Sequence, residues 1–110
     1  MGESYLERFN ALILRELNEA LRLNYSAEAA RITLTAVKTD SSLKKAKVFY
    51  SVVGTAEHKA LAKQQLQTWS KSLQQALART KLLKAIPHFQ FICDDSLEKA
   101  HQIINLLEDL

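Results

Sequence analysis

Residues 32–54 read ITLTAVKTDSSLKKAKVFYSVVG, and this stretch decides the fold. Apolar and polar side chains alternate through Ile32–Val37 and again through Ala46–Val53. A period of two is the pattern of a strand with one buried face. The polar run Asp40-Ser41-Ser42 lies between the two segments, and Gly54 follows the second. The stretch therefore predicts an antiparallel β-hairpin.

The same alternation assigns side chains to the two faces of the hairpin. Phe49 and Val53 make the end of the second strand apolar on both faces, which favours a position inside the sheet. Lys44 and Lys45 are predicted at the base of the turn. In the first strand, one face is predicted to hold Ile32, Leu34 and Ala36, and the opposite face Thr33, Thr35 and Val37.

Two helices flank the hairpin in the sequence. Ser4 with Glu7 three residues later is a capping-box pattern, and apolar residues at helical spacing predict a first helix from Ser4 to about Leu23. Thr55 can cap a second, longer helix, whose apolar pattern weakens from Arg79 onward. One side of this second helix carries only cations and amides, namely Lys63, Gln67, Lys71 and Gln74.

The end of the chain adds a strand and a helix. Pro87 ends the helical pattern, because the residue before a proline avoids the helical region. His88–Cys93 alternates again and predicts a third strand, and Asp95 with Glu98 forms a second capping box for a closing helix. The order α-β-β-α-β-α indicates an α+β fold, and the length favours one domain over residues 1–110.

The net charge of +3 is unevenly distributed along the chain. Residues 38–84 hold ten basic side chains against two acidic ones, whereas residues 1–37 and 85–110 are net acidic. Such an asymmetry is typical of a protein with a polyanionic partner. A solvated lysine surface that keeps the protein soluble is the alternative interpretation, and charge alone leaves both open.

Residues suited to catalysis or metal binding are sparse. His58, His88 and His101 are far apart, and none has another ligand type at the spacing of a metal site. Cys93 alternates with phenylalanines on the predicted third strand, which favours a buried, apolar-like cysteine over a nucleophile. The sequence has two glycines and no glycine-rich phosphate loop. We therefore expect neither an enzyme, nor a metal, nor a cofactor.

The sequence also indicates the compartment. No apolar run approaches the roughly 18 residues of a membrane helix, and the first residues do not form a signal peptide. A single cysteine excludes an internal disulfide. We expect a monomeric cytoplasmic protein that does not bind a membrane.

Two strings carry a resemblance to a known family. Thr39–Gly54 reads TDSSLKKAKVFYSVVG, and Ile86–Phe91 reads IPHFQF, followed by DDSLE at Asp94–Glu98. The first is similar to the polar turn and Ala-Lys-Val-Tyr-x-Ser-Val-x-Gly strand of the ribosome-binding factor A family of small-subunit maturation factors. The second resembles that family's Val-Pro-x-Leu-x-Phe segment and the Asp-x-Ser-Leu that follows it. The opening helix fits less specifically, through Arg8, Leu12, Glu16 and Leu17.

The resemblance implies a type II KH-like fold, in which helices pack on one face of a three-stranded sheet. The family's long helix is kinked at an Ala-x-Gly, so the implied order is α-β-β-α(kinked)-β-α. This chain has Trp69-Ser70-Lys71 there, with neither the alanine nor the glycine. Trp69 shares an apolar arc with Leu66 and Leu73, which favours core packing over base stacking.

The resemblance also implies a function. It predicts a non-enzymatic factor that binds the immature small ribosomal subunit through its 16S-type rRNA and assists late processing or folding of that rRNA. Two alternatives stay open: a small α+β protein-interaction or ligand-binding module whose basic face meets an acidic partner, and a KH-like RNA-binding protein outside ribosome assembly. The side chains that we expect to contact RNA are Lys44, Lys45, Lys47, Lys63, Lys71, Arg79, Lys81 and Lys84.

Overall fold

The computed structural model describes residues 4–94 of the 110-residue chain. Two helices and three strands follow one another in the predicted order, with boundaries close to the predicted ones. The predicted closing helix, which begins at Asp95, lies outside the described residues. The elements are α1 (Tyr5–Tyr25), β1 (Ile32–Thr39), β2 (Lys45–Val52), α2 (Ala56–Thr80) and β3 (His88–Cys93).

Both helices begin at the predicted caps. The Ser4 hydroxyl accepts the backbone N–H of Glu7 at 3.1 Å. At α2, the Thr55 hydroxyl accepts the N–H of His58, and Nδ1 of His58 accepts the N–H of Thr55 at 2.9 Å. The cap of α2 is therefore reciprocal. Caps of both kinds satisfy N–H groups that have no partner inside the helix, and each stabilises a helix by about 1 kcal/mol.

The three strands form one sheet in the order β1-β2-β3. β2 pairs antiparallel with β1 and parallel with β3, so β2 is central, as its apolar character on both faces predicted. The parallel pairing requires α2 to carry the chain from one end of the sheet back to the other. β3 is therefore an edge strand among the described strands.

A β-bulge in β1 changes which side chains are buried. The register with β2 shifts between Leu34 and Ala36, because β1 has one residue more than its partner there. Val37, which strict alternation placed opposite Leu34, is buried instead, and Thr39 is buried with it. The predicted faces of the second half of β1 were therefore wrong. Lys38 lies on the exposed face as a result.

Both helices pack on the same face of the sheet, α1 chiefly on β1 and α2 on β2 and β3. Ile13 and Leu17 of α1, Leu66 and Leu73 of α2 and Val48 of β2 are fully buried between the layers. Burying an aliphatic side chain of this size stabilises a fold by about 1.5–3 kcal/mol. The opposite face of the sheet is covered by neither α1 nor α2, and we call it the open face.

Candidate nucleic-acid interface

The eight side chains predicted to contact RNA are all exposed, but they fall into three groups. A helix rises about 1.5 Å per residue, so Lys63 and Arg79 lie about 24 Å apart along α2. The set therefore does not form one compact cluster. The groups are Lys44, Lys45 and Lys47 at the hairpin; Lys63 and Lys71 within α2; and Arg79, Lys81 and Lys84 at its end and beyond.

Asp40 organises the turn that presents Lys44 and Lys45. Its Oδ1 accepts the backbone N–H of Lys44 at 3.0 Å and that of Lys45 at 3.3 Å, and Leu43 has a left-handed φ of 62°. Desolvation acts to raise the pKa of Asp40, but hydrogen bonds from the Lys45 N–H, the Ser42 side chain and the neighbouring N–H groups outweigh it and lower the pKa. The Asp40 carboxylate is therefore hydrogen-bonded to the backbone of the turn.

A concavity of about 580 Å³ lies between α2 and the edge strand β3, and we call it the β3 groove. It brings Lys45 and Lys63, which are 18 residues apart in the sequence, to one site. Lys44, Lys47 and Lys71 do not line it. The described residues that line it are Lys45, Lys63, Gln67, Ser70, His88, Phe89, Gln90 and Phe91.

Side chains of α2 give the β3 groove a polar wall. Lys63, Gln67 and Ser70 follow one another at successive turns, as predicted for the first two. The Ser70 Oγ is buried and has no hydrogen-bond partner among the described residues. Gln74, one turn further, donates Nε2–H to the carbonyl of Pro87 at 2.9 Å, which ties the start of β3 to the helix.

The backbone of β3 supplies further hydrogen-bonding groups. The N–H of His88 donates to the carbonyl of Lys44, the residue before β2, at 2.8 Å. Successive residues of a strand point their backbone groups in alternate directions. The N–H and C=O groups of Phe89 and Phe91 therefore point away from β2, toward the unpaired edge of β3. Such an edge can bond to the polar rim of a base or to another extended chain.

Trp69 packs against a neighbouring helix, as its apolar position predicted. Its ring stacks on Tyr25 with centroids 4.0 Å apart and planes 10° apart, and the Tyr25 hydroxyl donates to Ser72 at 3.1 Å. α2 is helical without a break through Trp69-Ser70-Lys71, where the family resemblance implied a kink. The stack fixes the end of α1 against the middle of α2 at this point.

The end of α2 is a cationic region of a different kind. Lys81 caps the helix in a left-handed conformation, with φ 59°, and its N–H donates to the carbonyl of Ala78. The ammonium of Lys84 lies 5.6 Å from the ring centroid of Tyr5 in α1. Positive charge near a helix C-terminus is stabilising in itself, so Arg79 and Lys81 have a structural role there.

Sequence reasoning did not select Lys38 as a site residue, although the structure places it on the open face beside Lys47. Strict alternation groups Lys38 with Leu34 and Ala36, away from the solvent. A lysine on a face that is predicted to be buried could have indicated a bulge, because an unpaired charge is rarely buried. Ser70 and the edge of β3 were missed because they depend on how α2 and β3 meet.

The described residues form no cluster suited to metal binding. Among residues 4–94, no three His, Cys, Asp or Glu side chains lie close enough to hold a metal ion. Cys93 is exposed rather than buried as predicted, because its end of β3 extends past the core that buries Phe89. His101 lies outside the described residues. Neither α1 nor α2 has the length and hydropathy needed to cross a membrane.

The comparisons with known proteins agree with this architecture. The family model described as ribosome-binding factor A matches residues 5–107. The chain belongs to the ribosome-binding factor A family. Proteins named ribosome-binding factor A from Opitutus terrae and Coxiella burnetii are 37% and 35% identical to it, each over 103 residues. These matches cover 94% and 93% of this chain, and 84% and 86% of the relatives.

Solved structures of ribosome-binding factor A share the fold. The crystal structure of the Thermus thermophilus protein has a TM-score of 0.70 at 20% identity, over 82% of this chain and 97% of that one. A solution structure of a Thermotoga maritima protein has a TM-score of 0.69 at 22% identity, over 84% and 90% of the two chains. These likenesses confirm the α+β fold, which is consistent with a KH-like arrangement.

Proposed function

We propose that this ribosome-binding factor is a non-enzymatic maturation factor that binds the small ribosomal subunit through its rRNA and assists late processing or folding of that rRNA. Family membership supports the ribosomal partner. A homology model of the Thermus thermophilus ribosome-binding factor A, with a TM-score of 0.64 to this chain, has been fitted into a cryo-EM map of its complex with the 30S subunit. The proposal treats residues 1–110 as one RNA-binding domain that acts as a monomer in the cytoplasm.

The β3 groove is the observation that carries the RNA part of the proposal. Lys45 and Lys63 line one concavity with two side-chain amides, those of Gln67 and Gln90, and the edge of β3. Cations bind phosphates and release counterions, whereas directional donors and acceptors bind the edges of unstacked bases. This combination suits single-stranded rRNA. The remaining predicted cations then add contacts around the groove: Lys44, Lys47, Lys71, Arg79, Lys81 and Lys84.

Binding energy alone can produce the effect on the rRNA. A protein that binds one conformation of an RNA more tightly than another shifts the population toward the first. The groove requires an unpaired segment, so binding favours conformations of the subunit in which that segment is exposed. No bond needs to be made or broken by the protein.

The salt dependence of binding to purified small subunits tests the proposal. If about five cations contact phosphates, the logarithm of the affinity falls against that of the salt concentration with a slope of roughly 3.5 to 4.5. The double variant Lys45→Gln/Lys63→Gln should lower this slope by about 1.4 to 1.8. The matched control is Arg15→Gln/Arg22→Gln, which removes the same charge from exposed positions of α1.

A response to salt that is flat, or equal for the two double variants, would contradict the proposal. An acidic protein that competes for the groove with the affinity of the subunit would favour the protein-interaction module instead. RNA binding without preference for small subunits would favour a role outside ribosome assembly.

A further inference from the structure

The open face of the sheet carries cations and one aromatic ring that the β3 groove does not use. Lys38 and Lys47 are exposed there, and Phe49, two residues after Lys47 on β2, is half-buried. Within the three strands, no outward position is held by an aspartate or a glutamate. Besides these three, the outward side chains are Thr33, Thr35, Ala36, Lys45, Ser51, His88, Gln90 and Ile92.

Two lysines of this face lie directly opposite one another. Lys38 and Lys47 are Cα partners on β1 and β2, and the bulge at Leu34/Ala36 is what turns Lys38 to this face. Like charges at directly opposed positions destabilise a sheet. Asp40 follows β1, but its carboxylate is engaged by the N–H groups of the turn. The repulsion is therefore not relieved by an acid on the strands, and a bound anion would relieve it.

Phe49 gives the cationic face an apolar centre. It pairs with Ala36 on one side and Ile92 on the other, so its ring stands in the middle of the sheet. The Lys38 ammonium lies 5.9 Å from the ring centroid. The carbonyl of Phe49 accepts the Thr35 hydroxyl at 3.2 Å, which fixes the strand at this residue. An aromatic ring flanked by cations is the composition of surfaces that stack bases of single strands.

We propose that the open face is a second RNA-contacting surface, which takes a single-stranded segment with its phosphates on Lys38 and Lys47 and a base against Phe49. The inference deepens the proposed function and rests on RNA being the partner. Lys45 belongs both to the open face and to the β3 groove, so one RNA strand can pass from the groove across the sheet. An acidic protein segment would be bound by the lysines alone and would gain nothing from the ring.

The test measures binding of the full chain to a single-stranded oligouridylate of about 12 nucleotides, with polyglutamate as the acidic comparison. Phe49→Leu keeps apolar volume but removes the ring, and it should lower the oligouridylate affinity by about fivefold or more. It should leave polyglutamate binding unchanged. Phe49→Tyr retains a ring and should restore the affinity, which separates loss of stacking from loss of folding.

Charge reversal at Lys47 on the same face should change both the RNA affinity and the melting temperature. Lys47→Glu should lower the oligouridylate affinity by about tenfold or more. The same variant should raise the melting temperature, because Lys38 gains an opposite charge across the strands. Arg15→Glu makes the same change of charge on α1, and a smaller effect on affinity is expected from it.

Three results would overturn the inference: unchanged oligouridylate affinity in Phe49→Leu, parallel losses of polyglutamate and RNA binding in that same variant, or equal losses of RNA affinity in Lys47→Glu and Arg15→Glu. Binding to small subunits tests the proposed function separately. If the chain binds the oligouridylate through Phe49 but does not bind small subunits, the proposed function fails and the open-face inference stands. If subunit binding depends on Lys63 while oligouridylate binding ignores Phe49, the inference fails alone.

Discussion

The β3 groove and the open face share Lys45, His88 and Gln90 but are built in different ways. The groove forms where α2 crosses β3, so its lining comes from three separate segments of the chain. The open face follows from the alternation of side chains within each strand, with one bulge. One basic stretch of sequence therefore supplies residues to two surfaces with different chemistry.

The two regions differ in the kind of contact that they offer. The groove combines cations with directional groups, among them the Gln67 amide and the backbone of Phe89 and Phe91. The open face offers charge and a ring, which select for phosphate and for any base. Substitutions in the groove should therefore change which RNA is bound, and substitutions on the open face should change how strongly any single strand is bound.

The largest effect is expected where the two regions meet. Lys45→Glu should lower the affinity for small subunits roughly tenfold to hundredfold, because hydrogen bonds to charged groups contribute about 1.5–3 kcal/mol each. Arg15→Glu should have a much smaller effect at the same change of net charge. Filter binding at fixed ionic strength measures both. If the two variants bind alike, the shared position has no special role and the distinction between the regions loses its support.

A smaller effect, confined to the groove, is expected from Gln67→Ala. The Gln67 side chain is exposed and lines the groove. Loss of one hydrogen bond to RNA should lower the affinity about twofold to tenfold. Gln75→Ala, an exposed position of α2 that does not line the groove, is the matched control and should leave the affinity unchanged. Equal affinities for both variants would remove Gln67 from the groove's contacts.

The smallest effect on binding is expected at the end of α2, outside both regions. Lys81→Gly relieves a left-handed backbone and should raise the free energy of unfolding by about 1 kcal/mol. RNA affinity should fall only about twofold, because one exposed contact between a lysine and a phosphate contributes about 0–1 kcal/mol. Lys81→Ala removes the same charge without relieving the backbone and should not be stabilising. Chemical denaturation compares them, and equal stabilities would contradict the account of this cap.

The strands, helices and caps of residues 4–94 could be predicted from the sequence because each depends on neighbours a few residues away. The alternation around Asp40 placed the hairpin, and Ser4 and Thr55 marked the helix starts. The open face was largely predictable for the same reason. The bulge at Leu34/Ala36 was not, because an extra residue is visible only in the pairing with β2.

The β3 groove could not be predicted because its parts meet only after the chain has crossed from β2 through α2 to β3. From the sequence, Lys63 and Lys71 were equally good candidates for an RNA contact, yet only Lys63 lines the groove. Cys93 shows the same limit. Its alternation with Phe89 was correct, but whether that face is covered depends on where the helices end above the sheet.

Sedimentation of cell lysate measures whether the chain binds small ribosomal subunits, and variants of the β3 groove show whether it binds them through that surface. We expect the wild-type chain to migrate with free small subunits and not with large subunits. Lys45→Glu/Lys63→Glu should shift it to the top of the gradient, whereas Arg15→Glu/Arg22→Glu should not. A wild-type chain that stays at the top, or two double variants that migrate alike, would contradict the account.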